Sequence, residues 1–267
     1  VVTSSTLRSE VSAGILTLTL DRPQARNAIN AELRDALSQA LDGAAMNPDV
    51  RAVVLGGAGG AFCSGGDVGD FGQLHDPRAY HWVSQRLSSM ISGLEQIEKP
   101  TIAVIDGVAT GAGLALALAA DWRIGTPRTR MLYREGLLGM LPTHGGCARL
   151  VKLIGLARAR EAVLGGDELD ATDAYRVGML SEVAEGDGLK AARDRATKML
   201  RRSPLSYGAV KRVLQIAADA DVRTGMLAES LAQGALLGTA DHREGLAAAR
   251  ERREPSFTAS VPFTHDS

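Results

Sequence analysis

Glu135 stands in the stretch MLYREGLLGMLPTHGG, residues 131–146, with leucines and methionines close by on both sides. A carboxyl in such surroundings loses hydration, its pKa rises, and it becomes suited to general acid or base work. On an exposed short helix or loop it would be only a surface charge. His144 lies just beyond Pro142 and Thr143 and before two glycines; its imidazole either titrates in a pocket or serves as a capping, solvent-facing group. Two glycine loops offer backbone rather than side-chain chemistry. FCSGGDV, residues 62–68, has consecutive glycines that permit positive φ and let a ligand approach N–H groups, or that simply make a tight turn. DGVATGAGLALALAAD, residues 106–121, ends a strand, turns at glycine and starts a helix. Its free N–H groups and positive dipole end suit a developing oxyanion, and its small residues equally suit close helix packing.

Other chemistries are disfavoured. There is no P-loop, HExxH, GxSxG or CxxC pair, and GGAGGAFCSGG does not match a dinucleotide-binding GxGxxG turn. We therefore expect no metal and no separate cofactor. Cys63 and Cys147 are far apart, in no metal-ligand spacing, and are expected to be buried bystanders in a reducing compartment. The 30 Lys+Arg nearly balance 31 Asp+Glu without a long single-sign run, which argues against nucleic-acid or membrane-surface partners. VVTSSTLRSE lacks the signal-peptide pattern and the apolar run near 111–120 is too short for a bilayer, so a cytoplasmic protein with a small-molecule partner is expected.

The elements that must position these groups alternate between strand and helix. GILTLTL (14–20) has the alternation of a half-buried strand, broken by DRPQARNA. Asn30 is a helix cap before Leu33, Leu37 and Leu41, and Asn47-Pro48 stops the helix. VRAVVLGG (50–57) is a buried strand feeding a glycine-rich loop over 57–67. A helix over roughly 78–97 leads to a third strand, TIAVIDG (101–107). Such alternation implies parallel pairing with right-handed crossovers. From about residue 187 the pattern is helical with short breaks, a subdomain whose apolar faces pack on the core or on another subunit.

The ordered set LTLDRPQARNAIN, AVVLGGAGGAFCSGGDV, KPTIAVIDGVATGAGLALALAADWRIG and EGLLGMLPTHGGCARLVKLIG resembles the crotonase superfamily, the enoyl-CoA hydratase/isomerase family. The resemblance implies an α/β fold, a crotonase-like spiral of ββα repeats over 8–190 with an acyl-CoA site, and a C-terminal helical region over 191–255 used in trimer formation. It implies an acyl-CoA thioester as ligand and a homotrimer or dimer of trimers. The matching oxyanion positions are Gly66 and Ala112; Ala112 keeps the donor but adds a methyl where glycine is usual. Ala25, Arg26 and Ala28, with Ser64, Asp67 and Val68, match the coenzyme A region, Arg26 either pairing with a phosphate or remaining solvated.

Family hydratases hold a water between two glutamates. The second matches Glu135; the first falls at Ala115, whose methyl cannot exchange a proton. One carboxylate suits a proton shuttle, from Cα to Cγ through a stabilised enolate, as in isomerases of the family that resemble this arrangement. Isomerase-type chemistry is the leading expectation. Hydration with one glutamate, decarboxylation, thioester hydrolysis and carbon–carbon bond chemistry are alternatives, and a non-catalytic acyl-CoA binder is the reading from another class. Thr143 occupies the place of a dehalogenase branch's aspartate, which argues against that branch. Ala115, Tyr133, Thr143 and His144 are expected to line the substrate pocket, where Tyr133 and His144 could hydrogen-bond an unusual acyl group.

Overall fold

A computed structural model describes residues 4–67, 69 and 76–258. The chain divides into two compact units, residues 1–97 with 101–196, and residues 98–100 with 197–267.

The first unit begins with β1 (Leu7–Ser12) and β2 (Ile15–Leu20), an antiparallel hairpin closed by Ala13 and Gly14, both at positive φ. That pair of angles is what a two-residue hairpin with native strand twist requires. β1 was not evident in the sequence. β2 is also buried more fully than alternation suggests, with Thr17 only 6% exposed. The reason is its parallel neighbour β3 (Ala52–Gly57), which makes β2 an interior strand, and interior strands of parallel sheets are covered on both faces. Between them α1 (Ala31–Met46) starts where Asn30 Oδ1 accepts the Leu33 N–H at 2.9 Å, and buries Leu33, Leu37 and Leu41.

Three strand pairs then repeat: β3 with β4 (Ala61–Cys63), β5 (Thr101–Ile105) with β6 (Val108–Thr110), and β7 (Trp122–Gly125) with β8 (Arg130–Leu132). Helices follow each pair: α2 (Pro77–Gln96), α3 (Gly111–Leu118) and α4 (Gly146–Arg160). The first strand of each pair joins one sheet, ordered β1-β2-β3-β5-β7-β10, and the second joins another, ordered β4-β6-β8-β9. β9 (Leu169–Asp170) and β10 (Glu182–Val183) are short edges separated by α5 (Ala171–Arg176). This is the ββα spiral, in a mixed α/β chain with mainly parallel sheets.

The repeat corrects two expectations. The loop expected over 57–67 contains β4, because Ala61–Cys63 pairs with β6 and is wholly buried. The strand expected over 101–107 ends at Ile105, and after a break at Asp106-Gly107 a second strand begins at Val108. Gly107 has φ +93, and a Cβ there would lie 2.0 Å from Gly60 O, so only glycine lets the chain step between sheets. Each sheet therefore receives one short strand per repeat.

In the second unit, α7 (Pro204–Asp219), α8 (Val222–Leu237) and α9 (Ala240–Glu251) follow α6 (Gly188–Met199), which begins in the first unit. Ser203, Asp221 and Thr239 cap α7, α8 and α9. The buried Asp241 carboxylate ties the unit together, accepting from Ser203 Oγ at 2.8 Å and Thr258 N at 3.1 Å. No described helix is long and apolar enough to cross a membrane.

Candidate active site

Three segments converge at the start of α3. Gly65 has φ +101, and a Cβ on it would stand 3.2 Å from Thr110 O and 3.4 Å from Ala112 N. Gly111 has φ +57, and a Cβ there would stand 3.5 Å from Gly65 Cα and 3.9 Å from Glu135 Oε1. The loop after β4, the N-terminus of α3 and the Glu135 side chain thus come close together around Gly111. One turn into α3, Gly113 packs on β4 so closely that a Cβ would lie 2.4 Å from Cys63 O. The helix can reach β4 only because no side chain intervenes, and that approach sets the position of its first N–H groups.

Those groups are placed for an acceptor. Ile29 N donates to Gly65 O at 2.7 Å and Asp67 N donates to Ile29 O at 3.0 Å, a single parallel bridge centred on Gly66. Alternation along an extended chain then turns the Gly66 N–H to the opposite side. Ala112 is the second residue of α3, where an N–H has no acceptor within the helix, and the Thr110 side chain makes no cap bond. Two half-buried backbone donors from segments that follow the neighbouring strands β4 and β6, with the positive end of a helix behind one of them, form an arrangement able to stabilise an oxyanion.

Glu135 opens a single 3-10 turn, Glu135–Leu138, after β8. The segment is a 3-10 turn and neither a regular helix nor an open loop, and its Leu137, Leu138, Met140 and Leu141 are exposed. Its Oε2 atom is nonetheless buried with no hydrogen-bond partner among the described residues. Ala115 is buried in α3, and its Cβ would be 3.8 Å from a Cβ on Gly146, so that face of the helix carries no polar atom. Tyr133 is 5% exposed in the same apolar cluster, and its hydroxyl also lacks a partner among the described residues. Burial, then the Glu135 charge, then Cys147, raise the phenol's pKa far above its ordinary value, so it remains an O–H donor.

The PTHGG segment is held from α2. His144, at φ 56, sets Nδ1 2.9 Å from Ser88 Oγ. Burial lowers the imidazole pKa and favours a neutral ring, against a smaller opposite effect of the Ser84 backbone. The structure therefore makes His144 a half-buried anchor of this loop, not a solvent-facing cap. Arg149 adds Nη1 to His144 O at 2.8 Å and a two-point ion pair with Glu95 on α2, at 3.0 and 2.6 Å. Thr143 lies half-buried with its carbonyl accepting from Gly146 N at 2.8 Å. Cys63 is buried and its thiol is pushed up to about 12, whereas Cys147 is exposed, correcting the expectation that both are buried. Cys147 sits at the outer N-terminus of α4, where its Sγ donates to Pro142 O at 3.3 Å.

The residues matched to coenzyme A divide by role. Arg26 is exposed at φ 48 and Ala25 is half-buried; Ser64 joins them, donating Oγ to Ala25 O at 3.1 Å and N to Arg26 O at 3.0 Å. Ala28 is buried. Asp67 pairs with Arg22, Nη1 to Oδ2 at 2.9 Å, and Arg22 also donates to Ala28 O. That guanidinium, with the Gly69 N–H, holds the Asp67 carboxyl below the usual carboxylate range. Asp67 thus secures the loop carrying Gly66. Val68 lies outside the described residues.

Sequence reasoning passed over Arg22, Asn27 and Gly113. Asn27 is fully buried at φ 57, donating to Ala58 O and Ala61 O at 2.9 and 2.8 Å and accepting the Arg22 N–H at 2.9 Å. Asn after Arg in RNA was the available signal, since Asn tolerates the left-handed region better than most residues. Among the described residues, no group of three His, Cys, Asp or Glu side chains is placed to hold a metal ion.

A ββα spiral with two glycine-bounded backbone donors beside one carboxylate defines an α/β protein of the crotonase class, and the comparisons agree. The family model for enoyl-CoA hydratase/isomerase matches residues 10–260. An enoyl-CoA isomerase/hydratase of Mycosarcoma maydis is 34% identical over 255 residues, covering 92% of this chain and 93% of that protein. A mitochondrial methylglutaconyl-CoA hydratase of Mus musculus is 32% identical, over 93% and 81% of the two chains. The crystal structure of an enoyl-CoA hydratase from Bacillus anthracis superposes with a TM-score of 0.91 at 27% identity, covering 96% of this chain and all of that one. The chain belongs to the enoyl-CoA hydratase/isomerase family, an enzyme family acting on acyl-CoA thioesters.

Proposed function

We propose that this protein moves a proton on an enoyl-CoA thioester, converting a Δ3 to a Δ2 double bond. Gly66 N–H and Ala112 N–H hold the thioester carbonyl oxygen. Glu135 takes the proton from Cα, the C–H electron pair passes into the enolate, and the developing oxyanion is stabilised by the two donors. As the double bond moves into conjugation with the carbonyl, Glu135 returns the proton to Cγ. Atoms and electrons balance without a co-reactant.

The observation that supports this reading is the approach of Gly65, Gly111 and Glu135 Oε1 at the start of α3, with apolar Ala115 in place of a second carboxylate. Incubation of a 3-enoyl-CoA with the protein, followed by mass spectrometry and chromatography, tests it. The expected product has unchanged mass and altered retention, with deuterium incorporated in heavy water. Binding of acetoacetyl-CoA without Cα exchange would establish a non-catalytic binder instead.

Hydration is a second reading, supported by the relatives named hydratases, the mouse methylglutaconyl-CoA hydratase among them. A product heavier by one water from a 2-enoyl-CoA, at kcat of about 10 per second or more, would favour it. Exposed Val222, Met226, Leu227 and Leu231 on α8 support assembly as a homotrimer or dimer of trimers, which light scattering tests.

A further inference from the structure

The segment from Glu135 to Gly146 carries the proposed proton-moving carboxylate at one end and enters α4 at the other. Apolar packing holds its middle weakly, since Leu137, Leu138, Met140 and Leu141 are exposed. Its own backbone bonds, Met140 N to Glu135 O at 2.9 Å and Gly146 N to Thr143 O at 2.8 Å, shape the segment without fixing it to another element. Near α4, Pro142 O accepts from Cys147 Sγ at 3.3 Å, and a Cβ on Gly146 would stand 3.2 Å from Pro142 Cβ and 3.8 Å from Ala115 Cβ. Among the described residues of this segment, His144 is the one whose side chain bonds to α2. Nδ1 lies 2.9 Å from Ser88 Oγ, and the ring also meets the Ser84 backbone one turn earlier. The His144 carbonyl accepts from Arg149 Nη1 at 2.8 Å, and Arg149 is paired with Glu95 on the same helix. The main chain and the side chain of one residue are thus both tied to α2. The residue is not there for backbone reasons: at φ 56 it occupies the left-handed region, beside Gly145 at φ 84, and glycine would fit with less strain. Such strain persists where the surroundings over-determine the conformation.

We infer that His144 is a positioning residue for Glu135: bonded to Ser88, it fixes the far end of the Glu135 segment on α2 and so holds the carboxylate at the start of α3, where Oε1 stands 3.9 Å from a Cβ placed on Gly111. The imidazole acts through the segment and touches no reacting atom. A carboxylate displaced by about 1 Å from its aim can lose about 10²-fold in rate, so a single anchor is enough to matter. The inference rests on Glu135 as the carboxylate that moves the proton. It holds for isomerisation and hydration alike, since both need that carboxylate aimed.

The test measures kcat, KM and melting temperature for Ser88→Ala, His144→Gly, their combination, His144→Asn and Glu135→Gln, with 3-hexenoyl-CoA and crotonyl-CoA as substrates. Ser88→Ala removes the partner without touching the segment, and His144→Gly removes the ring while relieving the left-handed strain. Each should lower kcat about tenfold or more with KM within about twofold. The combination should lose no more than either alone, because the two residues act as one unit. His144→Asn should recover most of kcat, since its amide is borne on the Cγ that carries Nδ1 in histidine and Asn tolerates the left-handed region. A purely structural contact would lower the melting temperature and leave kcat of the folded protein unchanged; that result, additive losses, or a change in KM alone overturns the positioning role. Turnover that survives Glu135→Gln, or no turnover of either ester by the unaltered protein, overturns the reading of Glu135 itself, and the inference with it.

Discussion

The two halves of the candidate site are built differently. The donor half, at the start of α3, is tightly packed from behind, leaving its two donors half-buried. Gly113 presses on Cys63, Gly65 abuts Thr110 and Ala112, and Leu114 to Leu118 are buried. The carboxylate half is a single 3-10 turn with four exposed apolar side chains after Glu135. The donors are backbone atoms, so only rigid packing can aim them, and the chain supplies that packing itself. The carboxylate sits on a side chain, whose two torsions beyond Cβ can adjust, and its support comes from a lightly packed segment pinned through His144 and Arg149 to α2. Precision resides where the chemistry depends on the main chain.

Replacing the carboxylate breaks the comparison most directly. Glu135→Gln is expected to reduce kcat by about 10²–10⁴-fold while leaving CoA-ester affinity nearly intact, measured by steady-state kinetics and calorimetry. Retained turnover would remove Glu135 from the mechanism. Next in size, Ala112→Pro deletes one donor in the first helical turn, where proline is tolerated, and should lower kcat by about 10²–10³-fold. Circular dichroism should show the fold preserved, and a loss in affinity alone would refute the donor role.

Stability measurements sharpen the contrast in packing. Gly113→Ala should destabilise the protein by about 1–3 kcal/mol, because its Cβ would overlap Cys63 and overpacking forces backbone shifts. Gly136→Ala, with nothing within 4 Å of its Cβ, should change stability by less than about 0.5 kcal/mol. Equal effects in urea unfolding would contradict the proposed asymmetry. The smallest effect concerns Asp67. Its carboxyl is depressed by Arg22 in the folded state, so the contribution is present above the unfolded carboxylate pKa and lost as pH falls through the lower folded value. Arg22→Ala should flatten this acid-side loss by under about 1 kcal/mol, since the pair is partly solvated.

Much of the fold is legible locally. Asn30 and Asn47-Pro48 bracket α1 where capping chemistry places its ends, and Leu33, Leu37 and Leu41 face inward as their spacing requires. β4 and β6 escaped notice because three-residue strands have too little period to detect, and pairing with each other is what makes them strands. Gly66, Ala112 and Glu135 were singled out by residue type and by family resemblance. The sequence gives no sign that Asp67 is engaged by Arg22, 45 positions away. His144 was open between a pocket and a solvent-facing cap, and is held by Ser88, 56 positions away. No local pattern records such partners.

The sequence by itself determined the alternation of strand and helix, the caps, the family, and the absence of an acid at Ala115, because each is a property of residue identity or of short-range periodicity. Tertiary structure alone decided that Gly65, Gly111 and Glu135 Oε1 come close together, and that the Tyr133 hydroxyl and Glu135 Oε2 are both buried without a partner among the described residues. Those facts depend on how closely backbones approach and which polar atoms lose water, and both are set by the packing of segments remote along the chain.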